Sequence, residues 1–423
     1  MLNITGYLDS SVKIPGKLDA QNDPFSGSHL GSMRITQPAN NDAACRASQP
    51  KHIDEETGEI IFFNEKENGA YEIAHDHPIE SRLERWILQS AVKKLLPEKR
   101  VAKCCRLRAI TNSTIKVLYN SVNKTAHFGG LQTCGSVWDD PVCAVKISER
   151  RRVDEVAPAM QAWESQGGQC LLLTLTHPHH KFNSLADLLE GEQKAMSRLT
   201  GCKALRRLFK SIGFKGSIRA WEVTYGDNGF HPHFHLILFV SQSLCLPLDS
   251  LESKLYDLWA NACRLAKLPI PDRAHGVKLH DGSNAKTYVS KGCWGLDREI
   301  TKGHLKKSKN GRSPMDLIRS YVFDGDKQSG ALFVEYSKAF HGRRQLQWSP
   351  GLKAYFGIGE KSDEQVAAEQ DDKASVLGEI EWTTWQLVLK SELRGEILEL
   401  ARLGSWDAIT RLLDNLKNIE VRS

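Results

Sequence analysis

The chain has 423 residues, enough for two or three domains and a sizeable buried core. Its composition is that of an ordinary globular protein, 40% hydrophobic and 26% charged, and 57 basic against 51 acidic residues leave a net charge of +6. Apolar runs such as Cys170–Leu173 and Leu236–Val240 are too short to span a bilayer, and the ten cysteines lack the regular spacing of a secreted disulfide scaffold. The mild basic surplus is compatible with nucleic acid without arguing for it.

Met1–Lys17 shows no apolar signal-peptide core and is interrupted by Pro15. With the cysteines read as reduced thiols, a soluble, cytoplasmic protein with no membrane partner is expected. Residues 1–75 are polar, without sustained periodicity, and read as an irregular N-terminal arm. A helix is predicted over Ile79–Leu96, where Leu83, Trp86, Ile87 and Ala91 keep a three-to-four rhythm until Pro97. Lys103–Ile147 reads as short strands and turns, and Val153–Gln166 as helical.

An α/β alternation follows. Leu171–Thr176 is a predicted strand and Leu185–Ser211 a helix with its leucines at core spacing. Ser217–Tyr225 and Phe230–Val240 form a hairpin across Gly226-Asp227-Asn228-Gly229. Leu248–Leu265 is a helix, Val277–His280 a strand and Ser283–Lys291 a short helix. This order predicts an α+β fold with an antiparallel sheet and helices packed on one face. The main domain runs over 76–357, an acidic linker over 358–378, and a separate C-terminal helical region over 379–423.

The sharpest local signal is His231-Pro-His-Phe-His235. Residues two apart on a strand share a face, so His231, His233 and His235 point the same way. If Tyr225 and Phe230 pair across the turn, Glu222 lies opposite His233, close enough for carboxylate and imidazole to share one cation. Two imidazoles and a carboxylate with open positions make a catalytic pattern suited to Mn²⁺ or Mg²⁺, with His231 as an alternative third ligand to Glu222. Surface or hydrogen-bonded histidines are the plainer alternative.

The segment Asn284-Ala-Lys-Thr-Tyr288-Val-Ser-Lys291-Gly292 can form a helix with residues 284, 288 and 291 on one face. A tyrosine beside a lysine suits phosphodiester cleavage, because the ammonium favours the phenolate and neutralises phosphate charge. Alone, this pattern fits any amphipathic helix with a buried tyrosine.

Together these residues resemble a known family. His233-Phe-His235 with its apolar continuation is similar to the histidine–hydrophobe–histidine motif of HUH endonucleases. Leu171-Leu-Leu-Thr-Leu-Thr176 looks like the first motif of their replication initiators, and Tyr288-x-x-Lys291 like the third. Order and spacing match the plasmid replication-protein branch. The likeness continues through Thr133-Cys-Gly-Ser-Val-Trp138, Pro141-Val-Cys143 and Gly342–Ser349, so it spans roughly residues 100–355.

The resemblance implies a central five-stranded antiparallel sheet, His233 and His235 as metal ligands, Tyr288 as nucleophile and Lys291 as its electrostatic helper. It also implies a 5′-phosphotyrosine intermediate, a 3′-OH that primes rolling-circle replication, and later strand transfer. Three departures stand out. Asn284 occupies a position where some relatives carry a glutamate that activates water for termination, and an amide cannot act as that base. The single motif tyrosine leaves the second strand transfer unassigned. Asp140 stands where relatives often have a cysteine before the proline.

Cys104, Cys105, Cys134 and Cys143 are candidates for a structural Zn²⁺, with buried reduced thiols as the alternative, since no clean C-x-x-C pair occurs. Lys302, Lys306, Lys307, Lys309 and Arg312 form a basic stretch suited to DNA phosphates, or simply a solvated loop. Arg343 and Arg344 beside Trp348 suit single-stranded DNA by charge and stacking, although Trp348 also fits a core position. His177-Pro-His-His180 reads as a loop cluster without a mechanism. The expected partner is plasmid origin DNA. No phosphate-binding loop of the G-x-x-x-x-G-K-[S/T] type occurs, so no nucleotide cofactor is expected and unwinding falls to a host helicase. A transposase or conjugative relaxase of the same chemistry, and a non-catalytic DNA-binding regulator, remain the competing readings.

Overall fold

The computed structural model describes residues 50–53, 60–65, 71–75, 79–122, 124–241, 246–281, 311–369 and 373–422. Strands β1 (Pro50–Ile53), β2 (Ile60–Glu65) and β3 (Tyr71–His75) form an antiparallel meander. The region read as irregular up to residue 75 therefore contains strands, each too short for its alternation to stand out.

Helix α1 (Ile79–Leu95) precedes β4 (Ile115–Asn120) and β5 (Thr125–Gly129), which pair antiparallel. Helix α2 (Pro141–Arg151) starts at a proline and is capped by Asp140, whose side chain accepts from the Val142 and Cys143 amides. Helix α3 (Ala157–Ser165) leads into β6 (Gly168–Leu175). The long helix expected after it is two helices, α4 (Leu185–Gly201) and α5 (Lys203–Ser211), because Cys202 adopts an extended backbone that the apolar rhythm does not reveal.

The hairpin of β7 (Gly216–Gly226) and β8 (Gly229–Ser241) has the anticipated register, with Tyr225 opposite Phe230 and Glu222 opposite His233. Helix α6 (Leu248–Leu265) buries Leu251, Leu255, Trp259, Ala262 and Cys263, the three-to-four spacing of one face. Its Trp259 indole donates to the Thr176 carbonyl at 2.7 Å, which ties the helix to the end of β6. Strand β9 (Val277–Asp281) completes that side of the sheet. Beyond it come α7 (Pro314–Phe323), α8 (Lys327–Ala339) and β10 (Leu346–Trp348).

These strands form one five-stranded antiparallel sheet in the order β10-β7-β8-β6-β9. Strand alternation gives it two faces. Leu171, Leu173, Leu175, Val223, Phe234, Leu236 and Leu238 belong to the main core shared with α4, α6 and α8. Cys170, Ile218, Ala220, Ile237 and Phe239 belong to a second core with Met160 of α3, Leu346 and Leu352. Packing on one face alone is thus corrected. The second face is also covered, but its apolar cluster stops short of one end.

The C-terminal segment corrects the expected linker and separate helical region. Strand β11 (Ser375–Ile380) pairs with β4, and residues from Ala47 onward form one compact unit. Within 358–378, a short helix at Asp363–Ala368 is held by Arg151, whose guanidinium lies 2.6 Å from the Asp363 carboxylate. Helices α9 (Trp382–Lys390), α10 (Arg394–Arg402) and α11 (Trp406–Arg422) bury Trp385, Val388, Ile397 and Ile409 in the main core. No helix among the described residues is long and apolar enough to cross a membrane.

Candidate metal centre on the β7–β8 hairpin

Where the second apolar face ends, the same alternation continues with polar residues. Thr174, Glu222, His233 and His235 share the side of Cys170, Ala220, Ile237 and Phe239, and the register places Thr174 directly beside His235. One ligand atom from each of Glu222, His233 and His235 lies within 4.8 Å of the other two. The Glu222 carboxylate is 3.0 Å from His235 Nε2 and 3.9 Å from His233 Nε2. Both imidazoles are buried.

The far sides of the rings are fixed as well. His233 Nδ1 lies 3.3 Å from the His231 carbonyl, a partner that can only accept, so the proton belongs on Nδ1 and Nε2 is the nitrogen turned toward Glu222. Thr174 Oγ1 lies 3.0 Å from His235 Nδ1. Such outer hydrogen bonds orient metal-ligating histidines and set their tautomer. The donor set therefore fits a divalent cation, with two nitrogens and a carboxylate on rigid neighbouring strands. Open positions would remain for phosphate oxygens or water.

His231 stands apart from this three-residue group. Its ring stacks on His179 with centroids 4.7 Å apart, and burial, reinforced by the neighbouring His233 and His179, pushes its pKa down to about 3. The loop cluster His177-Pro-His-His180 is thereby drawn to the hairpin, which its sequence alone did not indicate. His177 forms a fully buried pair with Glu192 of α4, Nε2 to Oε1 at 3.2 Å. No local sequence signal couples these two residues.

Tyr288, Lys291, Asn284, Lys302, Lys306, Lys307 and Lys309 lie outside the described residues, as does the expected helix Ser283–Lys291. Arg312 exchanges two backbone hydrogen bonds of 2.8 Å with Tyr225, and its guanidinium reaches Ser329 Oγ at 2.6 Å and Asp326 at 3.5 Å. Arg343 donates to the Ala339 carbonyl at 3.0 Å and to Gln193 at 2.9 Å, and lies 5.6 Å over Trp221. Arg344 is exposed, whereas Trp348 packs partly against the second core.

A second donor group consists of Cys104, Cys134, Asp140 and Cys143, all buried. It contains three of the four anticipated cysteines. Cys105, although 3.8 Å from Cys104 between sulfurs, is not among the four, and Asp140 takes the fourth place. Hydrogen bonds from Cys104 and Cys134 lower the Cys143 pKa well below its usual value, and the Cys104 and Cys134 thiols are pushed up. Burial and the Cys143 charge raise the Asp140 carboxyl to about 6.

Comparison with known proteins gives three findings. A family model described as "Replication protein" matches residues 131–392. A Streptomyces lividans protein named "Protein rep" is 28% identical over 295 residues, covering 54% of this chain and 64% of its own length. A Streptomyces cyanogenus protein named "Neomycin resistance protein" is 34% identical over 136 residues, 26% of this chain and 31% of its own length. The chain thus spans less than two thirds of these curated relatives. No solved structure matches.

Proposed function

The chain belongs to the replication protein family, and from that membership we propose that it initiates rolling-circle replication of a plasmid by nicking one strand of the origin. The observation that carries the proposal is the convergence of Glu222, His233 and His235 on one strand face. Together they would hold Mn²⁺ or Mg²⁺. When bound, such a cation supplies Lewis acidity to a phosphodiester and neutralises its charge.

The nucleophile in this reading is Tyr288. Its phenolate oxygen attacks phosphorus, the bond from phosphorus to the 3′-oxygen breaks, and that oxygen leaves as a 3′-OH after taking a proton. A 5′-phosphotyrosine holds the other end. The Lys291 ammonium stabilises the phenolate and the extra phosphate charge. Covalent reach supports the assignment. Tyr288 follows Asp281 by seven residues, a tether of at most about 24 Å. Asp281 pairs with Leu171, and only three strand residues, about 10 Å, separate Leu171 from Thr174 beside His235.

The origin strand would be single-stranded at the nick, with duplex on its flank for recognition. Exposed Arg344 and the lysines at 302, 306, 307 and 309 are the proposed phosphate contacts. Arg312 and Arg343 already serve intramolecular bonds and would contribute less. A separate host helicase would unwind the duplex, because this sequence carries no nucleotide-binding loop.

The test is cleavage of labelled origin strands with Mn²⁺ by the parent chain, Glu222→Ala and His235→Ala. Cleavage should fall by two orders of magnitude or more in both variants, while binding of uncut origin DNA stays within a few-fold. Undiminished cleavage in both would remove the hairpin from the chemistry. Binding without cleavage by the parent under every divalent metal would favour a regulator.

A further inference from the structure

We propose that Cys104, Cys134, Asp140 and Cys143 hold a structural zinc ion, with Asp140 as the single oxygen ligand. The site is independent of the hairpin reading, and neither falls with the other. Four donors around zinc at a Zn–S distance of about 2.3 Å stand roughly 3.8 Å apart along each tetrahedral edge. Here all four donor atoms lie within 4.8 Å of one another, Cys104 and Cys143 sulfurs are 3.5 Å apart, and Cys134 Sγ is 3.2 Å from Asp140 Oδ2.

The two oxygens of Asp140 divide the labour. Oδ1 accepts from the Val142 and Cys143 amides at 2.9 and 3.2 Å, which caps α2. Oδ2 is turned toward the sulfurs, and the Gln89 amide donates to both oxygens, at 3.0 Å to Oδ1 and 2.9 Å to Oδ2, an outer hydrogen bond that holds the carboxylate in place. Backbone amides point at the sulfurs too, Cys134 N to Cys104 Sγ at 3.2 Å and Ser136 N to Cys134 Sγ at 3.4 Å. N–H groups aimed at sulfur favour thiolates over thiols.

The surrounding charges can accommodate the ion. Zinc with three thiolates and a carboxylate carries a formal charge of −2. Two buried guanidiniums, Arg106 and Arg394, lie alongside, with the half-exposed Glu392 facing both at the rim. Arg394 donates to Gln89 Oε1, and Gln89 in turn donates to Asp140, so cation and site are linked through one amide. With the thiols protonated, Asp140 and Glu392 already balance these two cations, so the surrounding charge accommodates either form and the donor geometry decides. Buried, thiolate-rich, four-donor sets without an open position select zinc in a structural role. The ion would staple the turn before Cys104, the loop carrying Cys134 and the start of α2, next to α1 and α10.

The experiment uses the full chain bearing His233→Ala and His235→Ala, so that the hairpin does not contribute, purified under reducing conditions without chelator. Metal analysis should find one zinc per chain, retained in Cys105→Ser and lost in Cys143→Ser. Cobalt exchanged into the site should give tetrahedral d–d bands and thiolate-to-metal charge transfer. Asp140→Cys should keep the metal and raise that charge-transfer intensity by about one third, following the thiolate count. Chelation should lower the melting temperature by roughly 5 °C or more. If Cys143→Ser does not fold, the cobalt spectrum and the Asp140→Cys and Cys105→Ser variants still decide. A folded zinc-free parent, zinc that survives Cys143→Ser, or a cobalt spectrum without thiolate bands overturns the proposal.

Discussion

His177 and Glu192 show how single residues near the hairpin are set by burial and charge together. Burial pulls the His177 imidazole down, but the Glu192 hydrogen bond and charge outweigh it and leave its pKa raised above 6.5. Burial raises Glu192 as well, and His177, Arg343 and Arg219 only partly offset this. With both shifts upward, the folded chain binds more protons than the unfolded one. The stability these groups add is present at low pH, begins to fall above the unfolded glutamate value, and is gone once His177 deprotonates. We expect the His177 resonance in NMR to titrate above the ordinary histidine value, and to drop below it in Glu192→Gln, where burial is opposed only by the weaker hydrogen bond to the Pro178 carbonyl. A parent midpoint below the ordinary value would contradict the pairing. The pair could not be read from the sequence, because its partners sit on a loop and a helix whose packing no local pattern encodes. Asp140 was visible only as an odd residue before Pro141, and its place among the cysteines comes from α2 starting there.

At the scale of elements, the hairpin was the most legible part of the chain. Period-two histidines, an apolar continuation and a Gly-Asp-Asn-Gly turn fix both its face and its register, and through them the Glu222–His233 pairing. What stayed hidden was the strand on the other side, since nothing in β6 announces that Thr174 rather than Leu173 meets His235. The register depends on Gly229, which sits at φ +87, where an added Cβ would come 3.0 Å from Lys181 Cα. Gly229→Ala should therefore cost about 1–3 kcal/mol in denaturant unfolding, because a side chain there is both strained and crowded. Unchanged stability would mean that the turn is freer than its geometry implies. The break between α4 and α5 was missed for the opposite reason. Leucine spacing runs through Cys202 without interruption, and only the backbone records the change.

For the whole molecule, the C-terminal helices were legible as helices but not as part of the main core. The pairing of β11 with β4 joins Ile380 to Ile115, a separation at which sequence carries no periodic trace. Trp385, Val388, Ile397, Leu398 and Ile409 are all buried. At about 1.5–3 kcal/mol for each such side chain, their removal costs roughly 10 kcal/mol, comparable to the full stability of a typical domain. A chain ending at residue 372 should accordingly lose its cooperative melting transition in calorimetry. A truncated chain with an unchanged transition would show that residues 373–423 fold as a separate module after all.

In the proposed function, the metal hairpin and Tyr288 act on one phosphodiester. The most direct measurement is mass spectrometry of the protein after incubation with Mn²⁺ and single-stranded oligonucleotides tiling the replicon that encodes it. A DNA-linked peptide containing Tyr288 is expected, absent without metal and absent in Tyr288→Phe. A linkage at another residue, or cleavage that leaves both DNA ends free of protein, would contradict this assignment.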